Sequence, residues 1–297
     1  MLSICIFNAL DTALLSAPAM LRLLYSSKDR HMVMDALVRI GSPAAPFADL
    51  LLHELDHPSE NQRWFDGARA LASISRNNAQ LVEELFARLV HPDARIRGGA
   101  IACLEFTGPE LAGRETDFVV LLQALCARRD DPCFLSAVIA LGAVGRARED
   151  VAEFLVDLSK SRPPQLRKYS AGEGEYEYDH TMYERAAAID ALRFMTAFSS
   201  KVVPALIDAF DSFEEYDPDC SYSGNQERVC RALQAFGSAA APAIPRLIKE
   251  LEIALTADGD REYPKDVVSV LKAIGPVARE AIAANKRLPS SFSLDEG

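Results

Sequence analysis

The stretch "ALVRIG", residues 36–41, decides the fold, because it returns as "ALASIS" (70–75), "CLEFTG" (103–108) and "ALGAVG" (140–145). It then recurs as "ALRFMT" (191–196), "ALQAFG" (232–237) and "VLKAIG" (270–275). Successive copies end 34, 33, 37, 51, 41 and 38 residues apart. Each phrase closes a run of apolar residues at helical spacing, and its small last residue permits the left-handed turn that ends a helix. A second amphipathic stretch follows, as in "SPAAPFADLLLHELDH" (42–57), "NNAQLVEELFARLV" (77–90), "REDVAEFLVDLSK" (148–160) and "AAPAIPRLIKELEIAL" (240–255). A helix pair cannot cover its own apolar face, so pairs repeated at this period must stack into a continuous core. The spacing therefore predicts an all-α right-handed α–α superhelix of about seven helix pairs, helical throughout with essentially no sheet. The whole chain, 1–297, is expected to form one solenoid domain.

Three interruptions fall at one kind of junction, between the second helix of a unit and the first helix of the next. They are "RPPQLRKYSAGEGEYEYDHTM" (162–182), "EEYDPDCSYSGN" (214–225) and "DGDREYP" (258–264), all in the C-terminal half. Equivalent junctions of a stacked repeat lie along one edge, so these insertions are expected as neighbours on one rim. Residues 1–29 are expected to supply a capping helix region: the start is apolar, but it has no basic segment before the apolar run and Asp11 interrupts that run, unlike a secretory signal. Residues 286–297 are expected to be a flexible tail.

These residues resemble the HEAT repeat family, whose helix pairs of about forty residues stack into a curved superhelix. The resemblance covers roughly residues 30–285. It is supported by a proline early in the second helix, at Pro46, Pro204 and Pro245, and by the Asp-then-Arg pattern of "HPDARIR" at Asp93 and Arg97. It implies that such Asp and Arg side chains form a ladder along the stack. Prolines are missing from the second helices of units two to four, and the Asp–Arg pattern is clear only near residue 97.

One string suggests different chemistry. His53, Glu54 and His57 fit the H-E-x-x-H spacing by which a helix presents two zinc ligands and a catalytic base. However, "LDHPSENQR" (55–63) and "LVHPDARIR" (89–97) are one element repeated, with His57-Pro58 preceding His91-Pro92 by 34 residues. His57 therefore belongs to a repeat turn, Pro58 stops the helix, and two solvent-facing histidines are expected. "DPDCSYSGN" starts like a calcium loop at Asp217, but Tyr222 stands where the tight turn needs glycine and Arg228 where the loop ends on glutamate. No metal or cofactor is expected, and no nucleophile elbow or phosphate loop is present in the sequence.

Charge narrows the function. A formal charge of -11 argues against nucleic acid, whose binders gain affinity from Lys and Arg on phosphates, and it suits a basic or mixed partner. With 49% hydrophobic and 25% charged residues the chain is globular in composition, and no run of 18 apolar residues suggests a membrane span. The six cysteines contain no C-x-x-C pair and read as reduced core residues of a cytoplasmic protein. Between Glu173 and Asp219 twelve acids face three bases, which places -9 of the total charge in about one sixth of the chain. Six of the eight tyrosines fall within 169–222. Tyrosine offers apolar area and a hydrogen-bonding tip at small entropic cost. The candidate partner-binding set is therefore Glu173, Glu175, Tyr176, Glu177, Tyr178, Asp179, Glu214, Glu215, Tyr216, Asp217, Asp219 and Tyr222. The expected function is a non-enzymatic protein-binding solenoid, docking its partner on this acidic rim and the adjoining concave face. An immunity-type inhibitor of a bacterial toxin is one concrete form, since acidic surfaces steer fast association with basic proteins. The alternative is an enzyme resembling HEAT-like DNA glycosylases or bilin lyases; the glycosylase would need basic second helices, and those near the insertions carry mostly acids.

Overall fold

A computed structural model of the chain describes residues 30–57, 64–76, 78–107, 111, 113–160, 166–171, 174–212, 224–256, 265–288, 292 and 294. The chain gathers into two compact units, Met1–Val144 and Gly145–Gly297. Among the described residues the first holds α1 (Arg30–Ile40), α2 (Ala48–Asp56), α3 (Trp64–Ser75), α4 (Ala79–Arg88), α5 (Ala94–Thr107), α6 (Glu115–Cys126) and α7 (Phe134–Val144). The second holds α8 (Glu149–Ser159), β1 (Leu166–Ala171), β2 (Gly174–Asp179), α9 (His180–Leu192), α10 (Ser199–Ser212), α11 (Gly224–Ala235), α12 (Ile244–Thr256), α13 (Lys265–Ile274) and α14 (Pro276–Ala284). Odd-numbered helices carry the repeating phrase and even-numbered ones follow it, giving the expected seven pairs and an all-α helical-repeat fold.

The phrase works as its residue types dictate. Gly41, Gly237 and Gly275 have φ of 67°, 53° and 89°, a conformation that glycine adopts without a Cβ clash. The Gly41 amide donates to Leu37 O at 3.0 Å and the Gly275 amide to Leu271 O at 3.2 Å, each closing its helix. At Ser75 and Thr107 a buried hydroxyl pair, 3.0 Å apart, joins the ends of α3 and α5 instead. The apolar positions of the phrase form the core. Leu37, Leu71, Leu104, Leu141, Leu192, Leu233 and Leu271 are all buried. Each contributes about 1.5–3 kcal/mol by leaving water. In the first unit α1, α3, α5 and α7 pack in succession; in the second α9, α11 and α13 do so, with α10 beside α8. The nearest-neighbour stacking is what an isolated amphipathic pair requires.

Charged rungs tie successive pairs. Arg88 grips Asp56 through two bonds of 2.7 Å, and Arg97 reaches Asp131 at 3.0 Å, with only 13% and 8% of the two side chains exposed. Arg114 binds Glu83, and Arg228 binds Asp190. The Asp–Arg pattern is thus only partly a ladder: Arg97 bonds the aspartate of the next junction, while Asp93 is taken by Arg95 at 2.8 Å.

One difference from the sequence reading concerns the insertions. Residues 166–171 and 174–179 form an antiparallel hairpin, so the chain is not helical throughout. Its "GEYEYD" alternates acid and tyrosine with period two, which a strand accommodates and a helix face does not. Near the C-terminus Leu288 and Leu294 are buried, and Asn285 and Arg287 bond Glu252 at 2.8 and 3.2 Å. The proposed capping region, 1–29, lies outside the described residues. Among the described residues no helix is long and apolar enough to cross a membrane.

Candidate functional site

The described part of the proposed rim is the hairpin between α8 and α9. Its register pairs Leu166 with Asp179, Arg167 with Tyr178, Lys168 with Glu177, Tyr169 with Tyr176, Ser170 with Glu175 and Ala171 with Gly174. The register is that of a regular antiparallel ladder, and β2 brings three acids and two tyrosines into one six-residue strand. Of the expected site, Glu175, Tyr176, Glu177, Tyr178 and Asp179 belong to β2. Glu173, in the connection between the strands, and Glu214, Glu215, Tyr216, Asp217, Asp219 and Tyr222 lie outside the described residues.

Just after the hairpin in the chain comes a polar root that the sequence reading did not single out. β2 runs into α9 without a break, and the first turns of α9 bury Thr181, Glu184 and Arg185. The Nε of Arg185 donates to the carbonyl oxygen of Ser159, itself buried at the last turn of α8, at 3.2 Å. A cation at the carbonyl end of a helix meets the negative end of its dipole. This bond joins the last turn of α8 to the second turn of α9, on either side of the insertion. Tyr183, on the outer side of the same helix, is 53% exposed. Thr181, Glu184 and Arg185 of "HTMYERAAAIDAL" look like a solvated helix face in sequence; they are buried where α8 packs on α9.

The neighbouring helices are charged as expected. Glu149, Glu153, Asp157 and Asp208 are exposed on α8 and α10. Lys201 of α10 donates to Glu149 and to Glu153 of α8 at 2.6 Å each, and these hydrogen bonds raise its pKa. All three side chains are open to solvent, so the pairing contributes little to stability.

The zinc-like string does not converge. His53 and His57 are exposed, their rings stack at 4.3 Å and 20°, and His57 Nδ1 lies 3.0 Å from the His53 carbonyl oxygen. Glu54, which would be the base, is buried. This is the repeat turn with two solvent-facing histidines expected from its second copy. Arg228, which breaks the calcium-loop pattern, pairs with Asp190. Cys103, Cys126, Cys133 and Cys230 are buried free thiols, and burial pushes Cys103, Cys126 and Cys230 up to about 12, so they stay protonated.

Fold and site together define a helical-repeat protein with a hairpin insertion. No family model matches the chain. No curated protein matches it either. Among solved structures it is similar to a crystal structure of an engineered protein from the Northeast Structural Genomics Consortium, with a TM-score of 0.42 and 20% identity over 86% of this chain and 67% of that one. At that level of likeness nothing is carried over from the engineered protein.

Proposed function

We propose that the chain is a HEAT-like right-handed solenoid acting as a non-enzymatic, cytoplasmic binding protein. It docks a basic or mixed-charge protein on the acidic, tyrosine-rich rim of its C-terminal insertions and the adjoining concave face. The observation that carries this reading is the hairpin itself. It is an addition that stacking does not require, it falls between α8 and α9, and its second strand gathers Glu175, Glu177 and Asp179 with Tyr176 and Tyr178. Such a composition supports two tasks: acids that steer a basic partner and tyrosines that hold it. An immunity-type inhibitor of a basic bacterial toxin is one form this takes. The exposed Glu149, Glu153, Asp157 and Asp208 beside Lys160 and Lys201 favour a protein partner over the DNA of a glycosylase, which needs a basic track.

The test is capture of partners from native lysate at 50 and 300 mM salt with wild type, the triple variant Glu175→Lys/Glu177→Lys/Asp179→Lys, and Tyr176→Ala/Tyr178→Ala. A basic protein is expected with wild type at low salt. Charge reversal should slow its association, and the effect should fade as salt rises, because exposed charges are screened beyond about 10 Å at 0.1 M. Loss of the tyrosines should speed dissociation by about 1–2 kcal/mol. Equal capture by all three at low salt would overturn the rim reading.

A further inference from the structure

The described residues of 285–294 follow α14 without forming a helix, yet Leu288 is buried and Leu294 is only 4% exposed. A leucine outside the helices leaves water only by lying on the fold. We infer that residues 285–294 are a strap that closes the apolar side of the last described helix pair, and that its release lets two copies of the chain join at that end. This inference goes beyond the docking function proposed above and does not depend on the hairpin.

The strap is fastened at its start, where Asn285 makes three bonds. Its amide donates to Ile282 O at 3.0 Å and closes α14, its Oδ1 accepts the Arg287 amide at 2.8 Å, and its Nδ2 donates to Glu252 Oε1 at 2.8 Å. Arg287 Nη1 reaches Glu252 Oε2 at 3.2 Å, so both oxygens of that carboxylate are taken. Asn285 is extended, with φ of -83° and ψ of 113°, and turns the chain out of the helix. The exit is thereby fixed beside α12.

The repeat itself shows what the strap replaces. Arg88 binds Asp56 of the preceding pair and is followed by buried Leu89; seven residues later comes Ile96, the first buried residue of the next odd-numbered helix, α5. After α14 the same order returns. Arg287 binds Glu252 of the preceding pair, buried Leu288 follows, and buried Leu294 comes six residues after it. Leu294 therefore takes, in chain order, the place of the first core residue of a further helix. A pair in a stack needs a neighbour on each side, and an uncovered end pair presents apolar surface to water. With the strap off, each copy carries the same apolar end, and two such ends bury each other around a two-fold axis.

The test uses the full chain, with size-exclusion chromatography and light scattering over a roughly hundred-fold range of concentration. Wild type is expected to keep the mass of one chain. Leu294→Ser should rise to the mass of two, with helical circular dichroism unchanged and amide exchange in 265–284 quickened about ten-fold in its dilute, single-chain form. A synthetic peptide of residues 285–295 added in trans should return the variant to one chain, and the volume-conserving Leu294→Met should behave as wild type. Asn285→Ala, which keeps both leucines and loses the bond to Glu252, should associate in smaller measure, and it decides the matter if Leu294→Ser loses its helices. If both variants keep the mass of one chain, the inference is overturned. Growth to masses beyond two chains, or a dimer of wild type that Leu294→Ser leaves unchanged, overturns it as well.

Discussion

The junctions of the two units solve one problem in different ways. In the first unit, residues 89–93 separate α4 from α5 and 127–133 separate α6 from α7. These turns satisfy themselves: Asp93 accepts the Arg95 amide at 2.8 Å, Asp131 accepts the Cys133 amide at 2.9 Å, and Arg97 ties one turn to the other. In the second unit the α8–α9 junction spans 160–179 and carries the β1–β2 ladder. The flanking helix ends bury Ser159, Thr181, Glu184 and Arg185, where the first unit buries Glu54, Ser75 and Thr107. Nearest-neighbour stacking tolerates an outward insertion, because each helix pair answers only to its neighbours. Burying charge is costly unless it is bonded, and Arg185 is bonded to the Ser159 carbonyl across the α8–α9 contact.

The largest expected effect tests whether stability is local. Phe118 is fully buried between α6 and its neighbours, and Phe118→Ala should cost about 3–5 kcal/mol by urea denaturation. Hydrogen exchange should quicken in α4–α7 and remain slow in α11–α13. Equal acceleration throughout would mean that the chain melts as one cooperative block, and the contrast between units would lose its basis.

Next is the anchor. Arg185→Leu removes a charged hydrogen bond to the Ser159 carbonyl and should cost about 1.5–3 kcal/mol. Amides of 166–179 should lose protection while the Arg97–Asp131 junction keeps its own. A hairpin as protected as in wild type would show that the strands hold themselves.

The third effect is a pH dependence of the short junction. Burial alone would raise the Asp131 pKa, but the Cys133 amide and the Arg97 guanidinium outweigh it and hold the carboxyl below its ordinary 3.8. A carboxylate depressed in the folded state adds stability above its unfolded value and loses it as pH falls through the folded one. Urea midpoints should therefore fall below about pH 4, and Asp131→Asn should flatten that part of the curve while lowering stability at neutral pH by about 1–2 kcal/mol. An unchanged acid limb would remove Asp131 from the junction's account.

How far the sequence was legible follows the same division. The seven phrases located every odd-numbered helix, because leucine spacing and a final small residue are local properties. Gly41, Gly237 and Gly275 turn as the pattern required. The hairpin was legible only as an insertion: "EYEYD" alternates acid with aromatic rather than polar with apolar, so its period-two signal did not register as a half-buried strand. The root was illegible for another reason. Glu184 and Arg185 look solvated in any helical projection, and only the packing of α8 against α9 buries them. Asp131 was hidden by register, since the aspartate that Arg97 needs lies 34 residues away.

The smallest expected effect concerns the string that most resembles an active site. His53 and His57 are exposed, stack on each other and hang from a turn whose second copy, at His91-Pro92, has Ala87 and Arg88 in place of His53 and Glu54. His53→Ala with His57→Ala should change stability by no more than about 0.5 kcal/mol, the range of surface substitutions that break no special feature. A chelator should leave the melting temperature of both proteins unchanged. The zinc alternative makes the opposite demand: two imidazoles and a third ligand must converge on one ion, with Glu54 facing the same cleft. Here the rings are face to face at 4.3 Å and Glu54 is buried. Stoichiometric zinc retained through purification and lost in the double variant would refute this, and would move the functional centre from the hairpin of the second unit to α2 of the first.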